Sequence, residues 1–277
     1  MARGDVFRRP DRASAGLATT WLTTTDGVRI SAHHDPGPAG WCFVVVHGFT
    51  GSWRRPDIRR VAAGLGRHGG VVAFDLRGHG ASGGECTAGD AEVLDLDAVL
   101  AWVAGLGYRH VAVVGFSLGA AVALRHAALA AQRRPDVLVA VSGPGRWYYR
   151  GTPAMRRVQL ALTTGLGRAV VRRFFGTRVS GRDWDAEPLP PGPAAARLAE
   201  AGVPLLLVHG EADRYFPPEH AVALADAARA AAPGGAPVDL WLVPGMGHAE
   251  GAVDEDLLQA VVAWVTSRVP SGGPPGG

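Results

Sequence analysis

Ser117 stands in the pentad Gly115-Phe116-Ser117-Leu118-Gly119, between an apolar run at 111–114 and an alanine-rich stretch at 118–131. A serine at a tight strand-to-helix turn has its hydroxyl lifted clear of the sheet, and glycines two residues to either side let strand and helix close in. The free N–H groups and positive dipole end of the following helix favour an anion formed beside that hydroxyl. The chemistry this points to is nucleophilic attack. A serine hydroxyl is activated by an imidazole that removes its proton, and the imidazole by a carboxylate that fixes its tautomer. Two later segments offer such groups: His209-Gly210-Glu211-Ala212-Asp213 after the apolar run 205–208, and Pro244-Gly245-Met246-Gly247-His248 after that at 240–243. The competing readings make Ser117 a helix cap, put Glu211 in place of Asp213, and leave His248 as a loop histidine bonded to backbone.

The elements that must hold these groups follow from periodicity. Residues 19–25 and 28–33 alternate around Asp26-Gly27 and predict a β-hairpin. Beyond it, the runs 42–46, 71–74, 111–114, 137–141, 205–208 and 240–243 are continuously apolar, as strands buried on both faces are. Helices are expected at 56–67, 91–106, 118–131, 218–232 and 254–268. Strand and helix alternate, so the fold class is α/β with a mostly parallel central sheet flanked by helices. The strand ends carrying Ser117, the 209–213 loop and His248 then share one edge, where open α/β sheets place their sites. The interval 143–202 has no strand pattern and predicts a helical cap insertion that divides the core into 18–142 and 203–268. Residues 1–17 and 269–277 are expected to be disordered.

Composition narrows the function. With 277 residues and 47% hydrophobic content, the chain can bury one large core plus an insertion. No apolar run approaches the roughly 18 residues of a membrane span, and the N-terminus lacks an apolar signal core, so a soluble cytoplasmic protein is expected. A net charge of +3 is too small to argue for a nucleic-acid partner. All 28 basic residues are arginine, with no lysine or asparagine, which reads as codon bias from a GC-rich genome and discounts arginine counts. Cys42 and Cys86 lack CxxC spacing and are expected to be reduced and structural. Adjacent His33 and His34 point to opposite strand faces and cannot share an ion, so no metal site and no cofactor are predicted.

Five ordered motifs together resemble the α/β-hydrolase superfamily: Val45-Val46-His47-Gly48-Phe49-Thr50-Gly51, Asp75-Leu76-Arg77-Gly78-His79-Gly80-Ala81-Ser82, the Ser117 pentad, and the two loops ending at Asp213 and His248. The form DxRGHGxSxG, completed by Gly83 and Gly84, looks most like serine hydrolases related to monoacylglycerol lipases, carboxylesterases and serine aminopeptidases; Ala120 stands where many of those have a second glycine. The resemblance implies an α/β-hydrolase fold and a triad in the order Ser117, Asp213, His248. By the same analogy the oxyanion is held by the backbone N–H groups of Phe49 and Leu118. His47, His79 and His209 are expected to bond loop backbone, Asp75 and Arg77 to pair and hold their turn, and Glu250 to be solvated.

The function implied is hydrolysis of a small-molecule carboxylic ester through an acyl-enzyme, with Trp53, Phe116 and Tyr215 joining the cap in the substrate pocket. Amidase, peptidase, thioesterase or carbon–carbon hydrolase activity on the same triad, or a ligand-binding receptor with little turnover, are the alternatives. Between Gly145 and Arg182 lie nine arginines and no acidic residue. That segment invites attraction of anionic acyl substrates or contact with an anionic membrane surface, or else is a solvated face whose charges pair with Asp183, Asp185 and Glu187.

Overall fold

Residues 18–38, 40–130 and 133–268 are described by a computed structural model; the expected disorder at 1–17 and 269–277 falls outside the described residues. Eight strands, β1 (Thr20–Thr23), β2 (Arg29–Asp35), β3 (Trp41–Val46), β4 (Gly70–Phe74), β5 (His110–Phe116), β6 (Val137–Val141), β7 (Leu205–Gly210) and β8 (Val238–Val243), form one sheet in the order β1-β2-β4-β3-β5-β6-β7-β8. β1 pairs antiparallel with β2 and β2 with β4, and every later pairing is parallel. The first hairpin turns at Gly27, whose φ of +83° suits glycine. The Thr24 hydroxyl accepts from the Val28 N–H at 2.9 Å and closes it.

The valine-rich runs of β3 to β7 are buried on both faces, and alternation divides them between two apolar layers, whereas β8, at the sheet edge and expected to be buried too, is only half-buried with Leu242 38% exposed. On β3, Cys42, Val44 and Val46 face one way and Phe43 and Val45 the other. Helices α2 (Glu92–Ala104), α3 (Leu118–Leu129) and α7 (Glu219–Ala231) cover the first layer through Leu96, Leu124 and Leu224, among others. Helices α1 (Pro56–Leu65) and α8 (Glu255–Arg268) cover the second through Ile58, Leu65, Leu258 and Val262. Both layers are closed, as a parallel sheet requires.

Within the insertion, α4 (Pro153–Thr163) and α5 (Gly165–Phe175) form a helical hairpin. Thr152 caps α4 by accepting from the Met155 N–H, and Thr164 caps α5 by accepting from that of Gly167. The following chain returns to the core: the Arg178 N–H donates to Gly78, that of Cys86 to Arg178 and that of Ser180 to Cys86, all within 2.9 Å. α6 (Pro191–Glu200) departs from the expected boundary at 202. Its Ala194, Ala195, Leu198 and Ala199 lie in the first apolar layer with α3 and α7, so this helix packs with the core.

Asp75 and Arg77 hold the turn after β4, but not by pairing with each other. The buried Asp75 carboxylate accepts from Ser52 Oγ at 2.7 Å and from the Trp53 and Ala81 amides at 2.9 Å. Arg77 instead reaches Asp26 and Asp95, each at 2.8 Å. Asp75 also has Arg54 at 3.5 Å, so the two buried acids, Asp75 and Asp95, each have a cation of their own.

Candidate active site

Ser117 follows β5 with φ 50° and ψ −114°, backbone angles sparsely populated by any residue with a side chain. The surrounding glycines make this turn possible. A Cβ on Gly115 would lie 2.6 Å from the Gly119 carbonyl oxygen, and one on Gly119 2.3 Å from that of Val46. The Ser117 N–H donates to the Val141 carbonyl at 2.9 Å, fixing the turn to β6.

His248 Nε2 lies 3.0 Å from Ser117 Oγ, and His248 Nδ1 lies 2.7 Å from Asp213 Oδ2. With Nδ1–H donating to the carboxylate, Nε2 is the free acceptor for the serine proton. The Asp213 side chain is fully buried. Burial pushes its carboxyl up, but the hydrogen bond and charge of His248 and the amides of Tyr215 and Phe216 outweigh it and hold it below the usual value. Those amides donate to Oδ1 at 2.8 and 3.1 Å. Buried His209 donates from Nε2 to the Phe216 carbonyl at 2.9 Å, closing the same turn. Glu211, the rival acid, is exposed and makes no side-chain hydrogen bond among the described residues.

Neither the Phe49 nor the Leu118 N–H has a hydrogen-bond partner among the described residues. Both residues line the cavity that holds Ser117 and His248. The Phe49 loop is braced by His47, whose Nδ1–H donates to the Gly48 carbonyl at 2.7 Å while Nε2 accepts from the Leu76 N–H at 3.1 Å. Complete burial pushes this imidazole down to about 4 and keeps it neutral.

The cavity has a volume of about 590 Å³ and is roofed by α4 and α5, within the range that encloses a small organic ligand. Tyr215 lines it, with its ring centroid 4.4 Å from that of His248. Trp53 and Phe116, expected in the pocket, are not there. The Trp53 indole is buried, donating to Ser31 Oγ at 3.1 Å and stacking on His33 at 4.8 Å. Phe116, the residue before the nucleophile, points to the opposite sheet face and packs in the second apolar layer.

Glu250 is likewise not solvated. It is 9% exposed, in a single 3-10 turn at Ala249–Gly251, and its Oε2 lies close to Gly48. A Cβ on Gly48 would lie 3.5 Å from that oxygen and 3.2 Å from Ser117 Cβ. Burial raises its carboxyl above the usual value, with Asp57 adding to the effect. Ser142, which the sequence did not single out, is fully buried beside it, and its Oγ accepts from the Ala249 N–H at 3.0 Å. A Ser-Gly pair directly after β6 is the signal that could have found it.

Residues 43–264 match the model of the Alpha/beta hydrolase family. A structure of an esterase from Pyrococcus furiosus is similar at 25% identity and a TM-score of 0.71, covering 96% of this chain and 97% of that one. A serine hydrolase without a lid from Xanthomonas campestris shares the fold at 22% identity and a TM-score of 0.62, covering 93% and 97% of the two chains. In sequence, a 110-residue stretch is 36% identical to the dihydrolipoyllysine-residue acetyltransferase component of an acetoin-cleaving system from Pseudomonas putida. That stretch covers 39% of this chain and 29% of the relative, so the chain spans less than a third of it.

Proposed function

This chain belongs to the alpha/beta hydrolase family, and on that footing we propose that it is a serine esterase working through an acyl-enzyme. Ser117 Oγ attacks the ester carbonyl as His248 Nε2 takes its proton, and Asp213 stabilises the imidazolium that results. The negative oxygen of the tetrahedral intermediate is held by the Phe49 and Leu118 N–H groups, assisted by the positive end of α3. The imidazolium returns the proton to the leaving alcohol. Water deprotonated by His248 then attacks the acyl-serine and frees the acid and Ser117.

The observation that carries this reading is the continuous chain from Ser117 Oγ through the imidazole to a buried carboxylate, at 3.0 and 2.7 Å, opening on the cavity. An ester is favoured over an amide because its alcohol leaves with less assistance. The test is a panel of 4-nitrophenyl esters and 4-nitroanilides with a fluorophosphonate probe, on wild type, Ser117→Ala and Asp213→Asn. Stoichiometric labelling and ester turnover, absent in Ser117→Ala and lowered about 10⁴-fold in Asp213→Asn, are expected. Ligand binding with neither labelling nor turnover would move the protein to the receptors, and faster cleavage of anilides than of any ester would make it an amidase.

A further inference from the structure

Among the described residues, Arg54, Arg77, Arg125, Arg133 and Arg268 each hold an aspartate. Among the same residues, none of the nine arginines from Arg146 to Arg182 forms such a pair, although Asp183, Asp185 and Glu187 follow directly. Four of the nine, Arg146, Arg157, Arg168 and Arg182, lie on the wall of the cavity that contains Ser117. They come from separate places: the loop after β6, α4, α5 and the strand-like return after α5. Asp183 is the one acid in that wall. Between the arginines sits Gln159, 9% exposed and without a side-chain hydrogen bond among the described residues. Codon bias explains why these cations are arginine and not lysine. It does not explain why four of them line the cavity that holds Ser117 with no ion pair among the described residues.

The geometry points to an ester that carries a second, anionic group, a carboxylate or a phosphate, held by the cavity arginines while Ser117 attacks the carbonyl; this rests on the esterase reading above. Guanidinium forks suit both anions, which they meet with paired N–H donors. Met155, Val158 and Val171 on the same wall would take the apolar body of the molecule. Arg156, on α4 but outside the cavity wall, supplies the comparison, because it adds the same charge to the overall field without facing the substrate.

The test compares kcat/KM for three 4-nitrophenyl esters of matched length: pentanoate, hemiglutarate and 4-phosphonobutanoate. One or both anionic esters should exceed pentanoate by about tenfold or more at low salt, and the advantage should shrink toward one near 1 M salt. Which of the two leads identifies carboxylate or phosphate as the recognised group. The doubly substituted Arg157→Gln/Arg182→Gln protein should lose most of the anionic-to-neutral ratio, and Arg156→Gln should keep it. Equal rates for all three esters, or an equal fall in the ratio for both variants, overturns the proposal. If fluorophosphonate labelling and turnover are both absent, the esterase reading fails separately, and calorimetry decides the anion site: glutarate and phenylphosphonate must both bind no better than pentan-1-ol for it to fall too.

Discussion

Ser142 Oγ accepts the Ala249 N–H at 3.0 Å, so the residue just after β6 grips the one immediately after His248. Both residues sit at positive φ, 51° and 55°. The loop that carries His248 after β8 is therefore located from the end of a strand two places away in the sheet, not by its own hydrogen bonds alone. Ser142→Ala should leave the buried Ala249 amide without a partner, costing about 1–3 kcal/mol. With His248 displaced, kcat and the fluorophosphonate labelling rate should fall together by about tenfold. Labelling at the wild-type rate would mean the loop is positioned by other contacts.

Phe49→Pro removes one of the two N–H groups proposed to hold the oxyanion and leaves the Ser117, His248 and Asp213 side chains unchanged. Loss of a single oxyanion donor is worth about 2.7–4 kcal/mol, so kcat should drop about 10²- to 10³-fold. KM should change little, because the ground-state carbonyl gains less from that donor than the tetrahedral oxyanion does. Stopped-flow acylation rates measure this directly.

Glu250 has a carboxyl raised above its ordinary 4.5 by burial. A raised acid binds its proton more tightly when folded, so its contribution to stability is present below the ordinary value and is lost as pH rises through the folded one. Glu250→Gln cannot ionise. Its Tm relative to wild type should increase between about pH 5 and about pH 8. A difference that stays level, or that moves the other way, would show the ionised form to be the one the fold prefers.

His79 runs in the opposite direction. Burial, and then the neighbouring His47, push it down from 6.5 to about 4, while its Nδ1–H donates to the Arg77 carbonyl at 2.9 Å and Nε2 is buried without a partner among the described residues. The unfolded chain takes up this proton first, so stability is full above about pH 6.5 and declines as pH falls toward 4. His79→Asn keeps a donor but cannot charge. Its deficit against wild type should narrow by about 2–3 kcal/mol between pH 7 and pH 4 in urea melts, and parallel curves would refute the assignment.

The sheet and the Ser117, Asp213 and His248 positions were legible because continuous valine runs, glycine spacing and strand-end loops are local signals with one physical meaning. The place of α6 was not, because a helix in a long strandless interval carries no signal that says whether it joins the cap or the core layer. Phe116 was misplaced because proximity to the nucleophile in sequence suggested proximity in space, whereas strand alternation sends it to the far face. Trp53 and Glu250 failed for a related reason: irregular loops carry no period from which to read which way a side chain turns.

The α4–α5 hairpin rests on two footings. At one, the Thr152 hydroxyl donates to the Tyr215 carbonyl at 2.9 Å; at the other, Arg178 and Ser180 are laced to Gly78 and Cys86. One footing grips the loop of Asp213 and Tyr215, the other the turn after β4 and the Cys86 loop. The arch between them brings Met155, Arg157, Val158, Arg168 and Val171 to the cavity wall, whereas Ser117, Asp213 and His248 stand outside the arch. Replacing this arch should therefore change which compounds the cavity admits while leaving the hydrogen bonds from Ser117 through His248 to Asp213 in place.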